Sequence, residues 1–581
     1  MDKKRFYITT PIYYVNDEPH IGHTYTTVLA DVITRYNRLL GNASWFLTGT
    51  DEHGQKVQQA AEKRGVEAQA HCDEYVQRFR KMWTEMDIAN DDFIRTTEVR
   101  HKTIVQKLLQ QLYDQGDIYQ AHYDGLYSVS EERFITQKEY EEGNFREVKK
   151  ISESNYFFRM GKYQQQLIDY IKSHPEFIRP ENRRNEILGF LNQELSDLCI
   201  SRPKSRLSWG VELPFDSEYV TYVWFDALTN YISAIGWGSD AACFEKWWPA
   251  VHLIGKDILT THAVYWPTML MAAGIPLPQT IFAHGWWTSE GQKMSKSLGN
   301  FIDLKTIHGH FDAVGKDVFR YYLAKEGPLT GDSDFSRERF YRTYNSELAN
   351  DFGNLINRIF TLIHKYFDGR LPAFGEKDEA AKALEQAGEA LIEKLPVFLE
   401  RFELGELLFA VITYVRSINR YMEQKAPWKL AKSDLAATAA VLMSALNSLR
   451  LAGIFLLPVM PGKMAEFLKS VGADLESPEL LRWHGLLEGY KLPQTKALFP
   501  RYEEKTEAKA PANSAADKAK VETDGLIDIS QFQQVQMRVA KVLSAEKVPD
   551  ANRLLKLQID LGKEERQIVA GIAQHYKPCL L

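Results

Sequence analysis

Cysteine is scarce in this chain. Four occur among 581 residues, at positions 72, 199, 243 and 579, and none stands within metal-ligand spacing of another. No Cys-x-x-Cys pair exists, which excludes a cysteine-rich zinc knuckle and a disulfide framework and suits a reducing cytoplasm. Long apolar runs are also missing. The longest, Leu451 to Pro461 broken by Gly453, is too short to span a bilayer. The N-terminal residues carry no apolar h-region, so no signal peptide is expected and a cytoplasmic location is. Positive charge is not in excess: 71 Lys and Arg against 77 Asp and Glu give a net charge of −6. That excludes a histone-like polycation but leaves a local nucleic-acid site open.

What is present is an ordinary globular mixture, 44% hydrophobic and 25% charged. At about 150 residues per domain, length alone predicts roughly four domains. Arg5–Thr10 reads as a strand and Thr24–Leu40 as a helix, whose Val28, Leu29, Val32, Ile33, Tyr36 and Leu40 form one apolar stripe. Ser44–Thr48 reads as a second strand running into Gly49-Thr-Asp-Glu-His-Gly54, with another helix after it. Strand, helix, strand, helix predicts an α/β, doubly wound parallel sheet with ligands at the carboxyl ends of its strands. Val251–Ile254 with Gly255-Lys-Asp257, an apolar helix to about Ala273 and Thr280–His284 continue the pattern.

The pattern predicts a first half of the doubly wound domain over 1–115, an insertion over 116–218 and a second half over 219–340. From 341 to 502 the periodicity is helical, through Ser346–Phe367, Asp378–Leu399, Gly405–Gln424 and Leu435–Leu456, which predicts a bundle. Residues 503–524 have a linker's composition. Over 525–581, Gln536–Val542 and Leu554–Ile559 alternate at period two and read as strands of a small β module.

Two short motifs carry chemistry. In Pro19-His-Ile-Gly-His23, two histidines meet a helix N-terminus, and Gly22 lets a bulky group approach the backbone. Imidazole and backbone donors there favour a phosphate, although a packed histidine pair or half a metal site reads equally well from so short a motif. In Gly291-Gln-Lys-Met-Ser-Lys-Ser-Leu-Gly-Asn300, Lys293 and Lys296 stand three apart among serines and glycines. Such a loop can close on a polyphosphate, or it can be a solvated surface turn.

Together the motifs resemble the HIGH and KMSKS signatures of the class I aminoacyl-tRNA synthetases, at 20–23 and 293–297. Thr10-Pro-Ile-Tyr-Tyr-Val-Asn16, Thr48–Gly54, Tyr222-Val-Trp-Phe-Asp-Ala-Leu228, Ile254-Gly-Lys-Asp-Ile258 and His262-Ala-Val-Tyr-Trp-Pro267 are similar to the methionyl-tRNA synthetases in particular. The resemblance implies a Rossmann-like catalytic domain split by a connective insertion, an all-α anticodon-binding bundle and a partial OB-fold. It implies methionine, ATP with Mg2+, and tRNA(Met) as substrates and partners. Methionyl-adenylate would form and its methionyl group pass to the tRNA's 3′-terminal adenosine.

The resemblance also assigns roles by position. Ile12, Tyr14, Trp224, Ala227, Leu228, Tyr231, Ile258, His262 and Trp266 would wall the thioether, which favours apolar, polarisable surroundings. Asp51 would hold the α-ammonium. His20, His23, Lys293 and Lys296 would be catalytic, and Gly22, Gly255, Asp257, Met294, Ser295 and Ser297 would join them at ATP. In the bundle, Asn350, Asn354 and Arg358 fall on one helix face at i, i+4, i+8, and Trp428 is the stacking candidate for anticodon bases. Each of these aromatics and amides would be plain core or polar surface outside this pattern.

Two features depart from many relatives. Tyr127-Ser-Val-Ser-Glu-Glu-Arg-Phe134 has serines where knuckle cysteines would stand, and Gly143–Val148 has none, so no structural zinc is expected. His122 and Glu131 alone cannot build a tetrahedral site. The terminal segment stops before five strands could close, so a homodimer is expected only where that module is complete. Competing readings are a leucine, isoleucine or valine synthetase, which needs a larger insertion; an HxGH nucleotidyltransferase, which needs no bundle; and a tRNA-binding protein with a decayed active site.

Overall fold

A computed structural model describes the chain except residues 1–3, 17, 129–132, 136–139, 142–147, 290–291, 294–308, 310–313, 328, 495, 504–538, 550, 552–553, 563, 574–577 and 579–581. Residues 1–503 form one compact unit and 504–581 a second.

The centre of the first unit is a six-stranded sheet, parallel throughout. Its strands are β1 (Arg5–Tyr14), β2 (Ala43–Asp51), β3 (Asp92–Arg95), β4 (Ile178–Arg179), β5 (Val251–Gly255) and β6 (Thr280–His284), in the spatial order β3-β2-β1-β5-β6-β4. The order reverses between β1 and β5, which puts a crevice at their carboxyl ends. Pro11 widens it. β1 pairs with β5 only at Ile8↔Val251 and Thr9↔His252, and its register with β2 shifts between Thr9 and Ile12. A proline has no N–H for a ladder, so past Thr9 the two central strands part.

Helix α1 (Ile21–Leu39) starts three residues before the position that periodicity predicts, because His20 is its N-cap. The apolar helix expected from after Asp257 to about Ala273 has its α-helical segment at Trp266–Ala273, and Thr261–Tyr265 before it is a wide π turn. Within the 116–218 range, Ile118–Ser128, Arg133–Ile135, Val148–Phe158 and Leu198–Cys199 make a separate antiparallel sheet. Ile178–Arg179 from the same range does not stay there. It joins the edge of the central sheet beside β6.

The helical half contains Asn354–Phe367, Glu379–Glu400, Leu404–Lys425 and Leu435–Leu456. The first was expected from Ser346. Instead the chain turns helical at Arg337 and makes a second π turn over Tyr344–Gly353. Leu435–Leu456 is the one described helix long and apolar enough to cross a membrane, and 94% of its apolar window is buried in the bundle core. One continuous apolar core joins this half to the sheet: Val28, Leu29, Val32 and Tyr36 of α1 belong to the same cluster as Leu446, Phe455 and Leu456. Tyr36 Oη donates to Phe455 O at 2.7 Å. The buried Arg320 donates to Asp31 Oδ2 on α1 at 2.6 Å and to the Val459, Pro458 and Met86 carbonyls.

In the second unit, Lys541–Lys547, Leu555–Asp560 and Glu565–Ala570 form a three-stranded antiparallel sheet around Leu555, Leu557 and Ile559. Its third strand carries no alternation strong enough to be read from sequence. The expected linker from residue 504 onward and residues 536–538 of the expected Gln536–Val542 strand lie outside the described residues, and the described strand there starts at Lys541.

Candidate active site

The crevice between β1 and β5 is a cavity of about 870 Å³. Ile12, Tyr14, Asp51, Trp224, Ala227, Leu228, Tyr231, Ile258 and His262 line it, as do His20, Gly22, His23, Gly255 and Asp257. Trp266 does not reach it. That residue stands one layer back, fully buried behind Tyr231 at 6.1 Å between ring centroids, with Nε1 donating to His252 Nε2. The π turn sets the difference, since it rotates His262 inward and carries Trp266 toward the core.

The histidine pair is organised by helix capping. His20 Nδ1 accepts from Gly22 N at 3.1 Å, and His23 Nδ1 accepts from His20 N at 3.3 Å. These are two otherwise orphaned helix N–H groups. With each Nδ1 used as an acceptor, the proton of each neutral imidazole resides on Nε2. The rings stack at 3.8 Å. Burial, and then the His20 ring, keep the His23 imidazole well below its ordinary pKa. The pair is therefore a neutral, two-donor surface at the positive end of α1, suited to phosphate oxygens. Gly22 is required by closeness: a Cβ there would lie 2.9 Å from His20 Cε1.

The opposite end of the cavity is apolar and aromatic. Trp224 lies edge-on to His262 at 6.1 Å. His262 Nδ1 is 2.9 Å from Ile258 O and its Nε2 is 2.7 Å from Tyr231 Oη. Burial lowers the His262 pKa to about 4, so it is a neutral acceptor for the Tyr231 hydroxyl. Asp51, the last residue of β2, brings the carboxylate to this end, and it is buried.

Sequence reasoning passed over several lining residues: Pro11, Tyr13, Asn16, Glu18, Tyr25, Thr26, Asn230, His284, Gly285, Trp286 and Trp287. A signal for the last four existed, since they follow the carboxyl end of a parallel strand. Trp286 Nε1 donates to Asp257 Oδ1 at 3.1 Å, its backbone N–H donates to Asp332 Oδ1 at 2.9 Å, and Lys256 Nζ lies 4.3 Å from its ring centroid. Lys256 also pairs with Asp332 at 2.7 Å. Asp257 is thus oriented before any ligand arrives.

Lys293 pairs in backbone register with Thr288 on Trp287–Ser289, a strand leading out of the cavity wall. Met294, Ser295, Lys296 and Ser297 lie outside the described residues. In the helical half, Asn350 falls in the second π turn, Asn354 opens the following helix, and both are exposed. The Arg358 guanidinium lies over the Trp428 ring at 4.6 Å. Trp428 is half-buried against the core, so its ring is backed by a cation and partly open to solvent. His122 contacts Ser152 and Ser154, whereas Glu131 is outside the described residues. Among the described residues no three His, Cys, Asp or Glu side chains gather as a metal site.

Comparison with known proteins places this geometry. The family tRNA synthetases class I (M) matches residues 6–144 and 142–360, the anticodon binding domain of methionyl tRNA ligase matches 371–512, and a putative tRNA binding domain matches 537–581. The methionine--tRNA ligase of Caldanaerobacter subterraneus subsp. tengcongensis is 42% identical, over 99% of this chain and 92% of the relative. That of Thermotoga maritima is 43% identical, over 99% and 91%. The solved Mycobacterium tuberculosis methionyl-tRNA synthetase in complex with methionyl-adenylate superposes with a TM-score of 0.81 at 38% identity, covering 86% of this chain and 100% of that one. With matches of this breadth, the chain belongs to the class I methionyl-tRNA synthetases.

Proposed function

We propose that this chain is an ATP-dependent methionine--tRNA ligase: it activates methionine as methionyl-adenylate and charges the 3′-terminal adenosine of tRNA(Met). One observation carries the reading. A single cleft holds a buried carboxylate beside an aromatic wall at one end and two neutral imidazole donors at a helix N-terminus at the other. A zwitterionic amino acid with a polarisable side chain suits the first end, and a polyphosphate the second.

In this reading Asp51 takes the methionine ammonium, and Ile12, Tyr14, Trp224, Ala227, Leu228, Tyr231, Ile258 and His262 surround the thioether, with Trp266 backing Tyr231. A carboxylate oxygen of methionine attacks the α-phosphorus of Mg-ATP, the bond to the bridging oxygen breaks, and pyrophosphate leaves. His20 and His23 donate from Nε2 to phosphate oxygens as charge builds on them. Lys293 and Lys296 neutralise the departing pyrophosphate, with Met294, Ser295 and Ser297 shaping that loop. Gly255 and Asp257 meet the ribose. Catalysis here is positioning and charge stabilisation, with no covalent enzyme intermediate. Mg2+ enters with the substrate phosphates. A tRNA hydroxyl, the 2′ one by class, then attacks the acyl carbon and AMP leaves. Asn350, Asn354, Arg358 and Trp428 would read the anticodon by amide hydrogen bonds and stacking. The absence of structural zinc, a cytoplasmic location, and a homodimer built through a complete terminal module belong to the same reading.

The test is ATP–pyrophosphate exchange with each of the twenty amino acids. Exchange with methionine alone is expected. No exchange with any amino acid would favour an RNA-binding protein that has lost catalysis, and exchange with another amino acid would overturn the pocket assignment.

A further inference from the structure

Behind the cleft wall lies a buried polar cluster to which the reaction above gives no role. Asp226, on the short helix Val223–Leu228, is 1% exposed. Its Oδ2 is 2.7 Å from His53 Nδ1 and its Oδ1 is 2.8 Å from His101 Nε2. His101, on the helix Val99–Asp114, also bonds Ser233 Oγ at 2.8 Å, and Ser233 donates to Asn230 O. None of Asp226, His53 and His101 lines the cavity. One carboxylate therefore pins three separate segments: the loop after β2, the 223–228 helix and the 99–114 helix. Burial alone would raise the Asp226 carboxyl, but the two imidazoles outweigh it and hold it at about 2.

Sequence distance makes the arrangement consequential. His53 lies two residues after Asp51. Asp226 lies two residues after Trp224 and one before Ala227. Trp209 clamps the same loop from outside, with Nε1 donating to Glu52 O at 2.5 Å and its ring against His53 at 5.4 Å. A buried charge gripped by imidazoles is a poor way to gain stability over a packed apolar trio, but it fixes geometry.

We propose that Asp226 is a positioning residue for the amino acid: by gripping His53 and His101 it sets the distance between the Asp51 carboxylate and the Trp224–Ala227 wall. A ligand bound by its ammonium at one wall and its side chain at the other is held only when that distance is right. The ATP end of the cleft, built on α1 and β5, does not depend on it. The inference rests on reading this cleft as the methionine site.

The test compares wild type with Asp226→Asn, His53→Asn and His53→Gln in ATP–pyrophosphate exchange, measuring KM for methionine and for ATP separately. Asparagine places its amide N–H near the Nδ1 position of histidine, whereas glutamine reaches toward Nε2. Asp226→Asn and His53→Gln are expected to raise the methionine KM about tenfold with the ATP KM unchanged, and His53→Asn to stay near wild type. Unchanged methionine KM in Asp226→Asn, a parallel rise in both constants, or equal effects of the two His53 variants would overturn the proposal. If Asp226→Asn does not fold, the His53 pair decides alone. Wild type that fails to exchange with methionine sinks the methionine reading itself, a result seen before any variant is made.

Discussion

Tyr231 donates its phenolic hydrogen to His262 Nε2 across 2.7 Å, because His262 Nδ1 is already committed to the Ile258 carbonyl. The bond ties two cavity walls and requires a neutral imidazole. Burial lowers His262 to about 4 from an ordinary 6.5, so between those values the unfolded chain binds a proton that the folded chain refuses. Stability thus rises with pH across that window and is lost as pH falls through it. Burial lowers His23, His252 and His284 in the same direction. Urea midpoints should fall steeply from pH 6.5 to 4, and His262→Gln should flatten the slope by an amount equivalent to about 3 kcal/mol across the window.

The Gly22 prediction turns on a distance. A methyl group 2.9 Å from His20 Cε1 must push that ring from its capping position. Gly22→Ala should slow adenylate formation about a hundredfold, the effect of one misplaced transition-state donor, while the lost cap and the better helix propensity of alanine, about 1 kcal/mol each, leave the melting temperature near wild type. A rapid-quench measurement of kcat beside a thermal melt separates the two effects.

Lys296 stands in the motif position expected to face pyrophosphate. Lys296→Ala should cost about 3 kcal/mol of barrier, close to a hundredfold in exchange rate, with the methionine KM unchanged. A rise in methionine KM instead would place the lysine in ground-state binding.

Trp286 holds Asp257 through one indole hydrogen bond at 3.1 Å. Trp286→Phe keeps a ring for Lys256 and loses that bond. The ATP KM should rise about threefold to tenfold, the span of a single net hydrogen bond, and the methionine KM should not move. Equal sensitivity of both constants would mean that the ring shapes the whole cleft.

Arg320 and Asp31 are both fully buried, 2.6 Å apart. Arg320→Met leaves Asp31 with Arg35 Nε at 2.8 Å and the Ala89 N–H, but it strips the buried Val459, Pro458 and Met86 carbonyls of their donor, so it should destabilise the chain by about 3 kcal/mol in urea unfolding.

The pattern-bearing parts of this fold could be read before any coordinates. The first helix shows its stripe of Val28, Val32 and Tyr36, Leu435–Leu456 is apolar all round, and Thr280–His284 falls on its strand to the residue. What escaped has no local signature. Ile178–Arg179 is two residues long and becomes a strand only because β6 offers an edge. The π turns at Thr261–Tyr265 and Tyr344–Gly353 break the 3.6-residue period on which helix reading depends. The layer to which Trp266 belongs follows from the first of them. Glu18 shares the cavity lining with His284 and Trp286, a meeting that no spacing encodes, although the place of the latter two at the end of a parallel strand is itself a signal.

The core shared by α1 and the helical half has a consequence for heredity as well as for heat. Residues 4–503 belong to one compact unit, and α1, whose N-terminus carries His20 and His23, shares its apolar cluster with the bundle, so the phosphate end of the cleft should melt with the helical half. A temperature-sensitive substitution deep in the bundle, at Leu446 or Phe455, would therefore be scored as a failure of amino-acid activation, although it lies in the other half of the unit from every reacting atom.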